Sequence, residues 1–229
     1  MWLWCYISRV SSDQSQPYHH GKLREALLAA AETLMESRGV QGLALRELGR
    51  ELGVSHSAAQ RHFADRQALL DALAERGFER LGDELAAAVA HRAGFDERLR
   101  RLAHAHVGFA LRHPALARWM FEARSRTGAP ASLLEASDRA LSPASSVLED
   151  GQAEGEVVAG DPEHLGLVGF AAMQGLVAIS ADGRFNDVPL QALVDGMVNR
   201  IISGLRPRPL EHDGQLAAPL SSNTITIDR

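Results

Sequence analysis

Between residues 45 and 62, two helical runs of about two turns each are separated only by Gly53-Val54-Ser55. Helices that short are marginal alone in water, so neighbours must hold them and the turn must set their angle. The run 45–52 ends at Gly53, where a left-handed residue stops a helix without a Cβ clash. Ser55 is placed to start the run 56–62, because its hydroxyl can accept from an unpaired backbone N–H of the next turn. Phe63 closes that run and turns inward. Upstream, Leu23, Leu27, Ala30, Ala31, Leu34 and Met35 recur at three- and four-residue spacing. They predict an amphipathic helix over 22–38 that stops at Gly39. Downstream, a helix from near Asp65 carries Leu69, Leu70, Leu73, Phe78, Leu81 and Leu85 in helical period for about six turns. That length suits a connector between two domains.

The same period predicts helices at roughly 96–112, 115–123, 131–150, 162–181 and 189–205, and strand signals are absent. Asp161-Pro162 starts one of them, since Asp caps and Pro fits a first turn that needs no N–H. Asp187 before Pro189 repeats the device. The expected fold is all-α, with a three-helix unit over 19–64, then a connector helix and C-terminal bundle over 65–205. Residues 1–18 read as a disordered leader or as the product of a misassigned start codon. The tail 206–229, with Pro207, Pro209, Gly214 and Pro219, reads as disordered. The opening MWLWCYI has no preceding basic residue and no cleavage site after it, so it is a poor signal peptide. Nothing else is expected to approach the roughly 20 apolar residues that span a bilayer, and no membrane role is expected. Cys5 is the only cysteine of the 229 residues, which excludes a disulfide framework and makes the cytoplasm the default compartment.

Net charge is −5, but residues 1–82 balance ten cations against ten anions, so the acidity lies wholly in the remainder. From Arg38 to Arg66, five arginines face three carboxylates, a local positive bias that permits a polyanionic partner. Two short helices joined by a Gly-containing turn and packed on a third describe a helix-turn-helix. Its second helix can enter the roughly 12 Å major groove of DNA. On 56–62 the positions His56, Ser57, Ala58, Gln60 and Arg61 are polar or small. Gln pairs with adenine, Arg with guanine and Ser with several base edges, while Ala can meet a thymine methyl. Taken alone, a short polar helix is as readily a solvated face.

The neighbouring residues carry a resemblance. YHHGKLREALLAAAETLMESRGV followed by LRELGRELGVSHSAAQRHFADRQALLDAL resembles the DNA-binding domain of the tetracycline-repressor (TetR) family over residues 18–73. Gly39, Leu48, Gly53-Val54-Ser55, Arg61-His62-Phe63 and Leu69-Leu70 are in register. The resemblance implies that Gly53 and Val54 form the turn and that Leu48, Phe63 and Leu70 form a small core. It implies that Ser55 caps the recognition helix and touches phosphate, and that Arg66 stands where the family has a phosphate-binding Lys. Arg24, Arg46 and His62 join the expected DNA contacts. Gln60 replaces the family's Tyr, and Leu43 and Ala44 stand where the family favours Thr or Ser.

In the second domain, ALRHPALARWMF and FAAMQGLVAI partly resemble TetR relatives named for a Trp-His-Gly motif, with Gln174-Gly175 for His-Gly and Phe170 where Trp is expected. Candidate ligand contacts are His106, Phe109, Trp119, Met120, Phe121, Phe170, Met173 and Gln174, soft or polarizable groups that suit either a core or an adaptable cavity. His106 reads first as a hydrogen-bonded core histidine and only second as a pocket residue. His19 and His20 are adjacent and lack a third ligand, so no metal site and no cofactor are expected. No Gly-x-Ser-x-Gly elbow, phosphate loop or His-Glu-x-x-His helix occurs, so an enzyme is not expected. The expected function is a ligand-responsive transcriptional regulator, in the family usually a repressor, released from double-stranded operator DNA by a small molecule. A helical binding module that has lost DNA affinity is the alternative. One short recognition helix reads few bases, which favours a homodimer on a palindromic site. Leu165, Val168, Ala172 and Leu176, with Leu190, Leu193, Met197, Ile201 and Leu205, are the expected interface stripes.

Overall fold

A computed structural model describes residues 20–181 and 187–207. His19, the expected leader and nearly all of the expected tail lie outside the described residues. Every element among the described residues is helical: α1 (His20–Arg38), a 3-10 turn (Val40–Gly42), α2 (Leu45–Glu51), α3 (His56–Gln60), α4 (Arg66–Val89), α5 (Phe95–Arg112), α6 (Pro114–Ser125), α7 (Ala131–Ala153), α8 (Pro162–Ala181) and α9 (Leu190–Leu205). Most boundaries fall within two residues of expectation, because capping and stop residues act locally. Two do not follow the periodicity. α3 ends at Gln60, since His62 and Phe63 both donate to Ala59 O (3.0 and 3.2 Å) and tighten the last turn. α7 runs on to Ala153 before Gly155, at φ 73°, stops it.

The N-terminal unit is built on a small shared core of Leu27, Leu28, Met35, Leu48, Phe63, Leu69 and Leu70, all buried. Two glycines set its turn. Gly53 has φ 67°, a left-handed conformation that costs a side-chain-bearing residue about 1 kcal/mol. Gly49 lies where α2 meets the turn. A Cβ there would sit 3.3 Å from Val54 O and 3.8 Å from the Ala59 Cβ, so even one added carbon makes this crossing tight.

α4 belongs to both halves. Its first turns pack into the N-terminal core, while Phe78, Leu81 and Leu85 enter the bundle core with Phe95, Phe109, Met120 and Leu133. It packs against α5, α6 and, along most of its length, α7. α9 turns Val194, Val198, Ile202 and Leu205 inward. α8 packs on α5, α7 and α9 yet leaves Leu167 60% and Val168 68% exposed. The expected interface stripes need correction here: Leu176 and Leu205 are buried within the protomer, and Leu167 joins the outer face. The expectation that no segment approaches membrane-spanning composition is also corrected. Pro162–Ser180 of α8 is long and apolar enough, at mean hydropathy 1.2. Only 6% of that stretch is buried, and it contacts α5, α7 and α9 along one side.

Candidate nucleic-acid interface and its link to the bundle

α3 is held from below and from its start. Ala59 is wholly buried, which anchors one side. Ser55, in extended conformation, accepts from Ala58 N at 3.1 Å, and its Oγ lies 3.0 Å from Ser57 Oγ. The cap expected from sequence is therefore in place. His56, Ser57, Gln60 and Arg61 are left exposed on the outer side, whereas Ala58 and His62 are half-buried. Ala58 packs against the core, so only part of its methyl faces outward.

α2 borders this surface with two exposed arginines, Arg46 and Arg50, one helical turn apart. With Ala44, Glu47, Val54 and His56 they line a shallow groove beside α3. Arg50 is absent from the candidates read from sequence. Its signal was the four-residue spacing from Arg46. On α1, Arg24 is exposed and its guanidinium lies 5.4 Å from the Phe63 ring centroid, a cation–π contact at the edge of the same face. Arg66, expected at a phosphate, turns two of its donors inward. Its Nε donates to Leu43 O at 2.8 Å and its Nη2 to Val40 O at 2.6 Å, so these donors point back into the protein.

Several polar contacts tie the N-terminal unit to the bundle. Glu36 on α1 accepts from Ala115 N (3.1 Å) and Leu116 N (3.0 Å). α6 needs this. Pro114 begins it, and the preceding His113 supplies no side-chain cap. The negative carboxylate also suits the positive end of the helix dipole. Glu32 on α1 pairs with Arg80 on α4 at 2.6 Å, and Arg80 Nη2 lies 2.8 Å from His113 Nε2. Arginine only donates, so Nε2 accepts and the imidazole proton sits on Nδ1, 3.5 Å from Glu32 Oε1. On α6 the Trp119 indole N–H donates to Leu70 O at 2.9 Å. After α6, Arg126 contacts both Asp71 carboxylate oxygens at 2.9 and 3.0 Å. Replacing Glu36 with Ala should lower stability by about 1–2 kcal/mol and speed amide exchange at Ala115 and Leu116. Thermal melts and hydrogen exchange check this; unchanged exchange at those two amides removes Glu36 as the cap.

Of the candidate ligand residues, the structure gathers His106, Phe121, Phe170 and Gln174. His106 Nε2 lies 3.0 Å from Gln174 Oε1, which makes Nε2 the donor. Burial pushes the His106 pKa below its ordinary value, against a smaller opposing effect from that hydrogen bond, so the ring is neutral. It meets Phe170 edge-on at 5.8 Å and Phe121 at 6.1 Å, and Phe121 meets Phe170 at 5.1 Å and Phe78 at 5.4 Å. Phe78, a sequence-assigned connector residue, thus joins the cluster. Phe109 pairs instead with His113 at 5.2 Å, beneath Arg80. Trp119 is committed to α4 through its N–H. Met120 is buried against Gly77, and Met173 is half-buried.

Residues 27–73 match the family model of bacterial regulatory proteins of the tetR family, and residues 99–204 match a tetracyclin repressor-like C-terminal domain. A solved protein of unknown function from Rhodococcus sp. RHA1 is 41% identical, with a TM-score of 0.78, covering 84% of this chain and 100% of that one. The helix-turn-helix-type transcriptional regulator YobS of Bacillus subtilis is 33% identical over 94 residues, 41% of this chain and 49% of its own length. The class C tetracycline repressor of Escherichia coli is 46% identical over 52 residues, 23% of this chain and 24% of its own. The chain thus spans about half the length of the first curated relative and a quarter of the second. With both of its domains matched in order on an all-helical frame, the chain belongs to the TetR family of bacterial regulatory proteins.

Proposed function

We propose that this chain is a ligand-responsive transcriptional regulator that binds operator DNA as a homodimer and leaves it when a small molecule enters the C-terminal bundle. One observation carries the DNA half. α3 is a capped, bottom-anchored helix whose outer side presents His56, Ser57, Gln60 and Arg61 to solvent. Gln60 and Arg61 have the bidentate chemistry that reads adenine and guanine in the major groove. Arg24, Arg46 and Arg50 are exposed cations that can take flanking phosphates, and phosphate contacts fix register on the duplex. The activity is binding rather than turnover, at the chromosome and hence in the cytoplasm.

The sensor half rests on the neutral His106–Gln174 pair among Phe78, Phe121 and Phe170. An uncharged, lipophilic ligand with one polar group fits that chemistry. α6 carries Phe121 on one side and reaches α1 and α4 through Glu36 and Trp119. A ligand that shifts α6 therefore changes the angle at which each protomer presents α3. Only differential affinity drives release. A ligand favouring the DNA-incompetent form by about 1–3 kcal/mol weakens operator binding about 5- to 150-fold.

The test is a titration of ligands found by thermal-shift screening against the protein on a fluorescent duplex carrying its selected site. Release within that range is expected. Arg61→Ala should cost about 1–3 kcal/mol and relax base preference at one position. If every tight bundle ligand leaves operator affinity unchanged, the sensor half fails; if no duplex binds above non-specific affinity, the DNA half fails.

A further inference from the structure

The start of α4 holds a cation that faces the wrong way for a simple DNA contact. Arg66 is half-buried. Its Nε and Nη2 donate to Leu43 O and Val40 O, residues 23 and 26 positions earlier. Those carbonyls belong to the connection between α1 and α2. Besides the buried Leu43 side chain and the exposed Arg38–Glu47 ion pair at 2.8 Å, its backbone has few fixings of its own. It is a single 3-10 turn, closed by Gly42 N to Gly39 O and Leu43 N to Val40 O, both 3.2 Å, and no side chain caps either the turn or α2. Arg66 itself stands on firm ground. Its neighbour Asp65 caps α4 by accepting from Ala68 N at 2.8 Å, and Leu69 and Leu70 behind it are wholly buried.

Resting on the DNA-binding reading above, we propose that Arg66 is a positioning residue. Its guanidinium clamps the α1–α2 connection to the first turn of α4, so that α2 and α3 move with α4 as one body. The chemistry is that of a planar fork with several donors, which meets two acceptors at once. A lysine offers a compact point charge and cannot reproduce that fork. A phosphate contact tolerates the exchange, since lysine still serves phosphate as a point charge. Lysine in place of Arg66 therefore separates the two roles. Through that connection the clamp couples α4 to α2, the helix that carries Arg46 and Arg50, so a tilt of α4 reaches both edges of the DNA-facing surface.

The experiment uses the full chain, with Arg66→Lys, Arg66→Ala and, for comparison, Arg61→Ala. Affinity for a duplex recovered by selection from a random pool is measured by anisotropy across a salt series. Amide exchange at Leu43, Glu47 and Leu48 is followed in the DNA-free proteins. Both Arg66 variants are expected to lose at least tenfold in affinity. The salt slope of Arg66→Lys should stay at the wild-type value, and exchange at Leu43 and Glu47 should speed up while α5–α9 keep their protection. Wild-type affinity for Arg66→Lys, with Arg66→Ala losing about one unit of salt slope, makes Arg66 a phosphate contact and overturns the clamp. If the wild-type chain binds no duplex, the DNA-binding reading fails by itself. Exchange in the DNA-free Arg66→Lys protein then decides the clamp: faster at Leu43 and Glu47 supports it, and unchanged overturns it.

Discussion

If α8 forms the proposed two-fold interface, Val168→Glu should leave the protomer folded, yield a monomer, and reduce operator affinity by about two orders of magnitude, close to 3 kcal/mol. Within the protomer the substitution costs little, because Val168 is 68% exposed and touches no core. In a two-fold interface the same position occurs twice on the same apolar surface, so two carboxylates would lose their hydration together. Beside Val168 stand Leu167, 60% exposed, and the half-buried Leu165, Leu193, Met197 and Ile201 of α8 and α9. This outer surface is more apolar than an isolated soluble helix pair requires. The loss on DNA follows from arithmetic. A separated protomer presents one α3, and the contacts of the second half-site disappear. Sedimentation velocity on the variant should give the monomer with the wild-type melting profile. Persistence of the dimer would move the interface away from α8.

Gly49→Val should abolish specific operator binding while leaving the bundle intact. A Cβ at Gly49 would already lie 3.3 Å from Val54 O and 3.8 Å from Ser55 O and the Ala59 Cβ. Two further methyl carbons would add to that crowding at a buried position. Overpacking of this kind costs about 1–3 kcal/mol, and the cheapest relief is to push the turn and α3 away from α2. That displacement misplaces Gln60 and Arg61, whose bidentate base contacts each contribute about 1–3 kcal/mol of discrimination. Their combined loss brings binding down to the non-specific level. Gly49→Ala, which adds only the Cβ, should fall between the two. Anisotropy on the selected duplex, with hydrogen exchange of α5–α9 as a control, checks the pair. Retention of specific binding by Gly49→Val would mean that α3 tolerates a different crossing angle.

The features legible in the sequence are those governed by neighbours in the chain. Ser55, Asp65 and Asp161-Pro162 mark helix starts because a cap acts within three residues, and Gly53 marks a stop because its conformation is a local property. The exposed set on α3 was readable for the same reason. Its last turn was not, since Arg61 and His62 leave the helix as Phe63 is drawn into the core. Features fixed by distant partners gave no comparable signal. Glu36 is an ordinary α1 carboxylate until the fold brings α6, 79 positions later, onto it. Arg66 had the charge of a phosphate ligand, but its direction depends on two carbonyls that only the folded loop supplies. Residue type marked Phe109, Trp119 and Phe121 as core or cavity groups without saying which neighbour each meets, and the fold sends them to three different places. α8 is apolar on nearly every side, so its pattern could not separate the surface buried against α5 and α9, which takes Leu176, from the one left outside with Leu167 and Val168.

Selection of bound duplexes from a random pool by the full-length protein, followed by the mass of the complex on the enriched site, decides whether this chain reads DNA as a two-fold dimer. The expected result is a palindromic consensus with half-site centres about 10–10.5 base pairs, or a modest multiple of that, apart, occupied by an even number of chains. A pool that emerges without enrichment, or an asymmetric site held by a single chain, would contradict it.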